Sequence, residues 1–493
     1  MINFLIALSP FVLCIFSIFI LKRTATFSAL LSCIFSIVVA ILFPFFKFQD
    51  SLLYSAFISS LILTSTIAII IIPGLFFNNL LKKMGNIDKI SSLIENLPLS
   101  GEKKTLILIL GILPAIESFT GFGISLLIGI PIFFRLYIPQ KAFFLSMLSL
   151  NTIPWGTLAI STVVSSSLSG YSISAVGLKS AIISFLVFLI VGCVSLYVVN
   201  GVHLLRKKWY LAVAHGFVYA LLLIYFNYLK LTELSGILTG IVSCLIFFVI
   251  YYNLSSKKQE IKKFFINFIK LFYPYLILLA FIVLIRIQSI NKFLHDICSI
   301  KWKNIELNPF VSPGIALIMT TIIFLLKYKK KLDHKQEWKK IKNVLLSLFL
   351  FILLARFMLE FKIIGVITEQ ISNIENNFLK LLILPLIGML SGFIAGSNVG
   401  GNVLALTIQM DIGNSFNQGL LFVAGQNSAA GHIVFTSLPI IVLIITLASD
   451  YHSSCSLEIR KLENTMLKFG MKVSFLYLIS FFFTIFISYI VIK

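Results

Sequence analysis

Glu117, Ser118 and Thr120, followed at once by Gly121-Phe122-Gly123, stand in the middle of an apolar run over residues 105–136. A carboxylate surrounded by hydrocarbon is costly and by default functional. Glu117 can take up and release a proton there, which makes it a candidate proton-coupling acid; the competing reading is a structural carboxylate that accepts backbone N–H bonds inside its own hairpin. A second polar break reads Gly396-Ser397-Asn398-Val399-Gly400-Gly401-Asn402. Each break is followed by an Asn-hydroxyl pair: Asn151-Thr152 comes 30 positions after Gly121, and Asn427-Ser428 comes 31 positions after Gly396. Unwound backbone exposes N–H groups and, at the N-terminus of the half-helix that follows, a partial positive charge suited to a carboxylate. Glycine lets a ligand approach the backbone, and hydroxyls and amides fix its polar groups without carrying charge. On this chemistry Thr120, Gly121, Gly123, Asn151, Thr152, Gly396, Ser397, Asn398, Asn402, Asn427 and Ser428 are the expected substrate-binding residues, for a small anion or polar solute. His432, beside the second pair, is a second candidate for proton coupling, against the commoner fate of a neutral histidine packed in a bundle. Any one glycine here could serve close helix packing alone; the pairing at matched spacing favours a ligand site.

The surroundings of these residues set the fold class. The chain is 59% hydrophobic and 12% charged, with a mean hydropathy of +1.03, which excludes an ordinary soluble domain and predicts an all-α polytopic membrane protein. The net charge of +22 comes from short basic clusters between apolar windows, which is the pattern of cytoplasmic loops and not of a nucleic-acid surface. Cys14, Cys33, Cys193, Cys244, Cys298 and Cys455 are scattered without ligand spacing, so no disulfide framework, metal or cofactor is expected. The first apolar segment reads as a retained helix and not as a signal peptide.

Loop charge then orients the chain. Lys22-Arg23, the lysines of 82–104, Arg206-Lys207-Lys208, the lysines of 257–263, the dense 327–342 loop and the 460–472 group should all face the cytoplasm. They do so only if 105–136 enters from the cytoplasm and returns, and if 378–411 enters from the exterior and returns. About twelve spanning helices plus these two re-entrant hairpins follow, with both termini outside and an odd number of spans between the hairpins. That inverts one half relative to the other, an inverted-repeat secondary-transporter plan. The N-terminal half is 1–252, with hairpin 105–136 and a broken helix over 141–165; the C-terminal half is 253–493, with hairpin 378–411 and a broken helix over 417–448. Lys179, His215, Lys270 and Lys380 read as side chains snorkelling from segment ends, and Arg356 and Glu360 as a local ion pair one turn apart, with Arg356 able to attract an anion from outside.

The motifs IESFTGFG and NTIPWG, then SGFIAGSNVGGN and QNSAAG with Pro439, resemble the lactate permease family of bacterial proton-coupled monocarboxylate transporters. Glu117, Gly121, Phe122 and Gly123 match its first signature, followed by Asn151, Thr152 and Pro154. Ala395, Gly396, Ser397 and Asn398, with Asn402, match the second, and Asn427, Ala430, Gly431 and Pro439 the last. Typical members carry Asp where this chain has Asn398 and Lys where it has Phe435, a paired loss of an acid and a base. The resemblance implies symport of L-lactate or glycolate with a proton across the cytoplasmic (inner) membrane of a bacterium. The expected partners are thus a small carboxylate, protons and the lipid bilayer. A sodium-coupled carboxylate carrier is the alternative, since carbonyls, Asn, Ser and Thr at such breaks also ligate Na⁺. A membrane-embedded enzyme would gather acid, base or metal ligands at one face; the loops offer lysines and a lone His295-Asp296 pair, so a transporter is expected and not an enzyme.

Overall fold

A computed structural model of the chain describes residues 2–19, 21, 23, 25–97, 99–120, 124–253, 258–303, 305–328, 334–448 and 456–492. The described residues are nearly all helical. They depart from the all-α expectation in one short antiparallel pair, Ile300–Trp302 against Ile305–Leu307, with Ile300 opposite Leu307. Lys303, at its turn, reaches both carboxylate oxygens of Glu360 at 3.0 and 3.3 Å, and the Ser55 hydroxyl donates to the same group at 3.1 Å. Glu360 is therefore bonded by Lys303 and Ser55, and Arg356, one turn before it, interacts with it through charge as expected.

Five helices among the described residues are long and apolar enough to cross a bilayer, and up to eight spans result if each of three bent helix pairs is one. The chain is a multi-pass membrane protein. Its side chains are sorted accordingly: Phe16, Leu61, Phe217, Phe475 and Phe483 are exposed, whereas Asn151, Asn402, Gln409, Gln426 and Asn427 are buried. An apolar exterior costs nothing against lipid, and interior polar groups find partners in neighbouring helices.

The longest helical segment, Phe185–Tyr228, has 44 residues, about 66 Å of helix at 1.5 Å per residue and twice the roughly 30 Å core of a bilayer. Its backbone leaves helical geometry at Asn200, Gly201 and Lys208, with Gly201 at φ 65. The two arms then pack against each other. A Cβ on Gly192 would stand 2.6 Å from the Ala212 carbonyl, and one on Gly216 would stand 2.6 Å from that of Phe188. The segment is thus a helical hairpin turning at the Arg206-Lys207-Lys208 cluster, held by small residues that let the arms approach.

Two of the expected snorkelling groups are instead buried. His215 has no exposed surface; it stacks on Phe247 at 3.4 Å and bonds the Tyr251 hydroxyl at 2.8 Å. Lys380 is buried with its ammonium 5.0 Å from the Phe416 ring centre. The Phe416 ring gives the Lys380 ammonium an electrostatic partner, and the Phe247 stack and Tyr251 hydroxyl accommodate His215; no periodicity in the sequence reports either.

Candidate functional site

The first hairpin begins with Gly101–Ile107, passes through a π-helical turn at Leu108–Ile112 and continues as Leu113–Thr120. Its return limb is Ile124–Leu136. Thr105 Oγ1 and the Tyr137 hydroxyl, 2.7 Å apart, close the base, so the segment comes back to where it started. Gly121 and Gly123, expected at the tip, lie outside the described residues, as does the side chain of Thr120. Glu117 is buried near the tip. Its Oε2 accepts from the Ser125 hydroxyl at 2.7 Å and from the Ser125 backbone N–H at 3.4 Å, across the two limbs. That bonding is what a structural carboxylate would make, and it also fixes the direction in which the acid points.

Asn151 supports this limb. Its amide donates to the carbonyls of Ile109 at 2.8 Å and Leu148 at 3.0 Å, while the Ser243 hydroxyl donates to that of Leu110 at 2.9 Å. A π-turn puts carbonyls out of step with the regular ladder, and Asn151 and Ser243 supply the missing donors. Asn151 and Thr152 occupy the break between Pro139–Leu148 and Ile153–Ser169, which bend by 53°. Just beyond it Thr157, Leu158 and Ala159 take left-handed φ of 47, 57 and 55. The Thr162 hydroxyl, donating to the Pro154 carbonyl at 2.7 Å, spans this reversed turn.

The second hairpin is built differently. Asn377–Ala395 ends at Gly396, whose φ of 61 makes the turn, and Asn398–Asn414 returns. Ser397 caps the return limb, its hydroxyl accepting from the Gly400 N–H at 3.3 Å. Gln409 on one limb donates to the Leu384 carbonyl on the other at 2.8 Å, so the limbs run antiparallel. The bend of 44° that follows lies between Gly419–Thr436 and Leu438–Leu447. Asn427 and Ser428 therefore sit inside an unbroken helix, whereas Asn151 and Thr152 sit in a break.

Asn427 is the centre of a buried network. Its Oδ1 accepts from Asn398 at 3.1 Å and Asn402 at 2.9 Å. Its Nδ2 donates to Thr162 at 3.0 Å and Ser180 at 3.1 Å. Asn402 also donates to the Ser165 hydroxyl at 2.9 Å, and Ser428 to the Ser180 carbonyl at 3.2 Å. His432 bonds Ser184 at 3.0 Å and is ringed by Phe188, Tyr477 and Phe481.

A cavity of about 260 Å³ opens where these elements meet. Glu117 reaches it from the first hairpin; Gly396, Ser397, Asn398 and Val399 from the second; and Gly156, Thr157 and Ser161 from the reversed turn. Ile71, Leu150, Ile153, Ile160, Leu348 and Leu443 give it an apolar wall. The cavity brings together Glu117, Gly396, Ser397 and Asn398 among the predicted residues. Asn151, Thr152, Asn402, Asn427, Ser428 and His432 are not in its lining. Thr157 and Ser161, which do line it, were missed; a hydroxyl at every fourth position, Thr157-Ser161-Ser165, was the available signal. The arrangement offers a carboxylate the first-turn N–H groups of Asn398–Asn414 and the positive end of that helix, a hydroxyl or amide for a second polar group, and an apolar wall for a short carbon chain.

Comparison with known proteins identifies the class of molecule that carries such a cavity. The family model described as L-lactate permease matches residues 3–310. The chain belongs to the L-lactate permease family. This is a family of transporters and not of enzymes. Among curated proteins, L-lactate permease from Streptococcus iniae is 22% identical over 456 residues, which covers 86% of this chain and 93% of that protein. The family match contains the first hairpin with Glu117 and the bent helix with Asn151; the second hairpin, with Ser397 and Asn398, lies beyond residue 310.

Proposed function

We propose that this chain carries L-lactate, or a close relative such as glycolate, across the cytoplasmic membrane of a bacterium by symport with a proton. The observation that carries the reading is the shared cavity, in which a buried acid and an N–H-bearing helix end face the same space. A substrate carboxylate drawn to the N-terminus of Asn398–Asn414 would share a low-dielectric enclosure with Glu117. Two negative charges there repel strongly. Protonating Glu117 removes the repulsion, so each of proton and anion favours binding of the other, and the coupling is reciprocal. Asn398 in place of an acid keeps the enclosure from holding a further negative charge, which suits a monoanion. Ser397 and Asn398 hold the substrate. Asn402, Asn427 and Ser428 act behind them, by fixing the tip of the second hairpin against the first bent helix.

The whole-chain arrangement we propose is an inverted repeat of halves 1–252 and 253–493, with about twelve spans, two hairpins and both termini outside. Its support is that each half contains a hairpin followed by a bent helix, and that a basic cluster stands at the turn of Phe185–Tyr228. The testing experiment is uptake of labelled L-lactate into proteoliposomes under an inward proton gradient. Wild type should accumulate it, and Glu117→Gln should lose gradient-driven accumulation while still exchanging L-lactate. Concentrative uptake retained in Glu117→Gln removes Glu117 from coupling, and accumulation that follows a sodium gradient instead selects the sodium-coupled carrier.

A further inference from the structure

A second cavity, of about 360 Å³, shares no lining residue with the first. It lies where the second hairpin ends and the helix Gly419–Ile433 begins, and Lys179 and Tyr171 close it from the side. Three features make it unlike an ordinary surface cleft. Lys179 is half-buried and has no ion-pair or hydrogen-bond partner among the described residues. Gln418 stands at the N-cap of Gly419–Ile433, yet its side chain does not cap the helix, and the N–H groups of that first turn are left facing the cavity. The Gln418 side chain is 8% exposed and has no partner of its own among the described residues, although it lines the cavity. Its amide group is open to the cavity and free to bond what enters it. Here it stands with an ammonium and a positive helix end, all turned on one space.

These donors suit a carboxylate. Tyr171, whose hydroxyl donates to Asn414 Oδ1 at 3.4 Å, leaves one side polar and open. We propose that this cavity is an outer carboxylate subsite, where Lys179, the Gln418 amide and the first-turn N–H groups of Gly419–Ile433 hold the substrate before it reaches the cavity of Glu117. The inference rests on the proposed function and on the proposed orientation, which places this end of the second hairpin outside. The two sites are joined by bonded side chains. Ser180, next to Lys179, accepts from Asn427, which in turn accepts from Asn398 in the wall of the inner cavity. Lys179 is thus anchored to the same helix contact that holds the inner tip.

Two measurements test it on the full chain. In right-side-out and inside-out vesicles, Lys179→Gln and Gln418→Leu should each raise the half-saturating L-lactate concentration about tenfold from the outer face, the worth of one charge-assisted bond. The rise should be much smaller from the inner face, and Lys179→Arg should restore the outer value. Unchanged half-saturation, or an equal rise from both faces, overturns the subsite. In detergent-purified protein, L-lactate should slow acetylation of the Lys179 amine by an N-hydroxysuccinimide ester, read by mass spectrometry of its peptide. Chloride at equal ionic strength should not. Protection without any wild-type uptake overturns the carrier and keeps the subsite; neither uptake nor protection overturns both. Protection by anionic lipid alone assigns the cavity to a headgroup and overturns the proposal.

Discussion

Asn427 illustrates what a residue type can and cannot reveal. It uses both ends of its amide on four neighbours, so Asn427→Leu would leave the amides of Asn398 and Asn402 and the hydroxyls of Thr162 and Ser180 short of a buried partner. The Asn398 amide is left without its partner, which costs about 1–3 kcal/mol, while Asn402, Thr162 and Ser180 each lose one bond and keep another. The expected outcome is a marked fall in Tm and in the yield of monodisperse protein, measured by size exclusion after heating. Any surviving protein should also show a raised half-saturating L-lactate concentration, because Asn427 positions the Asn398 side chain in the cavity wall without lining the cavity itself. A polar residue in an apolar segment was legible as unusual from the sequence, and correctly so. Whether it turns to a ligand or to another helix depends on contacts between segments far apart in the chain, as between Asn427 and Thr162, and such contacts leave no local trace. Glu117 carries both possibilities at once: its Ser125 bonds are structural, while its place in the cavity wall makes it available to a proton and a substrate.

At the scale of elements, the reversed turn after Asn151 is the feature least visible in advance. Thr157, Leu158 and Ala159 have no intrinsic reason to adopt left-handed geometry, which costs an L-residue roughly 1–2 kcal/mol. The turn persists because Pro154 and Thr162 are bonded across it and the helix on either side is buried. Such strain is characteristic of sites where backbone groups must be presented to a ligand. Ala159→Gly removes the left-handed penalty at one of the three positions and should raise Tm modestly, since glycine adopts this geometry without a Cβ clash. A lowered Tm would mean that the buried Ala159 methyl contributes more through packing than the backbone loses through strain. By contrast, the second tip was readable. Gly396 is the residue at which the chain must turn with positive φ, and the Ser-Asn pair after it is a helix-capping signature. The π-turn of the first limb had no such sign, because the bond from Asn151 that satisfies it comes from 42 positions away.

For the molecule as a whole, the physics of the bilayer made the class of fold plain. Composition and the spacing of basic clusters follow from the cost of moving charge through hydrocarbon, and that cost acts on each segment independently of its neighbours. The pairing of segments does not act that way: the first three long helices pack against those of 313–372 from the other half, which no loop charge predicts. Sidedness remains the property on which the inverted arrangement stands, and it can be tested directly. Ser100 and Gln140 flank the first hairpin, Asn376 and Asn417 flank the second, and all four are exposed. Each is changed singly to cysteine and treated in whole cells with a membrane-impermeant maleimide. Asn376→Cys and Asn417→Cys should both react at once, and Ser100→Cys and Gln140→Cys only after permeabilisation. If the members of either pair react from opposite sides, that segment crosses the bilayer, the sign of every later loop reverses, and the halves are no longer inverted. If all four react from one side, the two hairpins enter together and the cavity between Glu117 and Ser397 cannot alternate by rocking one half against the other. The expected pattern places the two hairpin bases on opposite surfaces with their tips meeting at a common site, the geometry that lets one cavity be opened first to one side and then to the other.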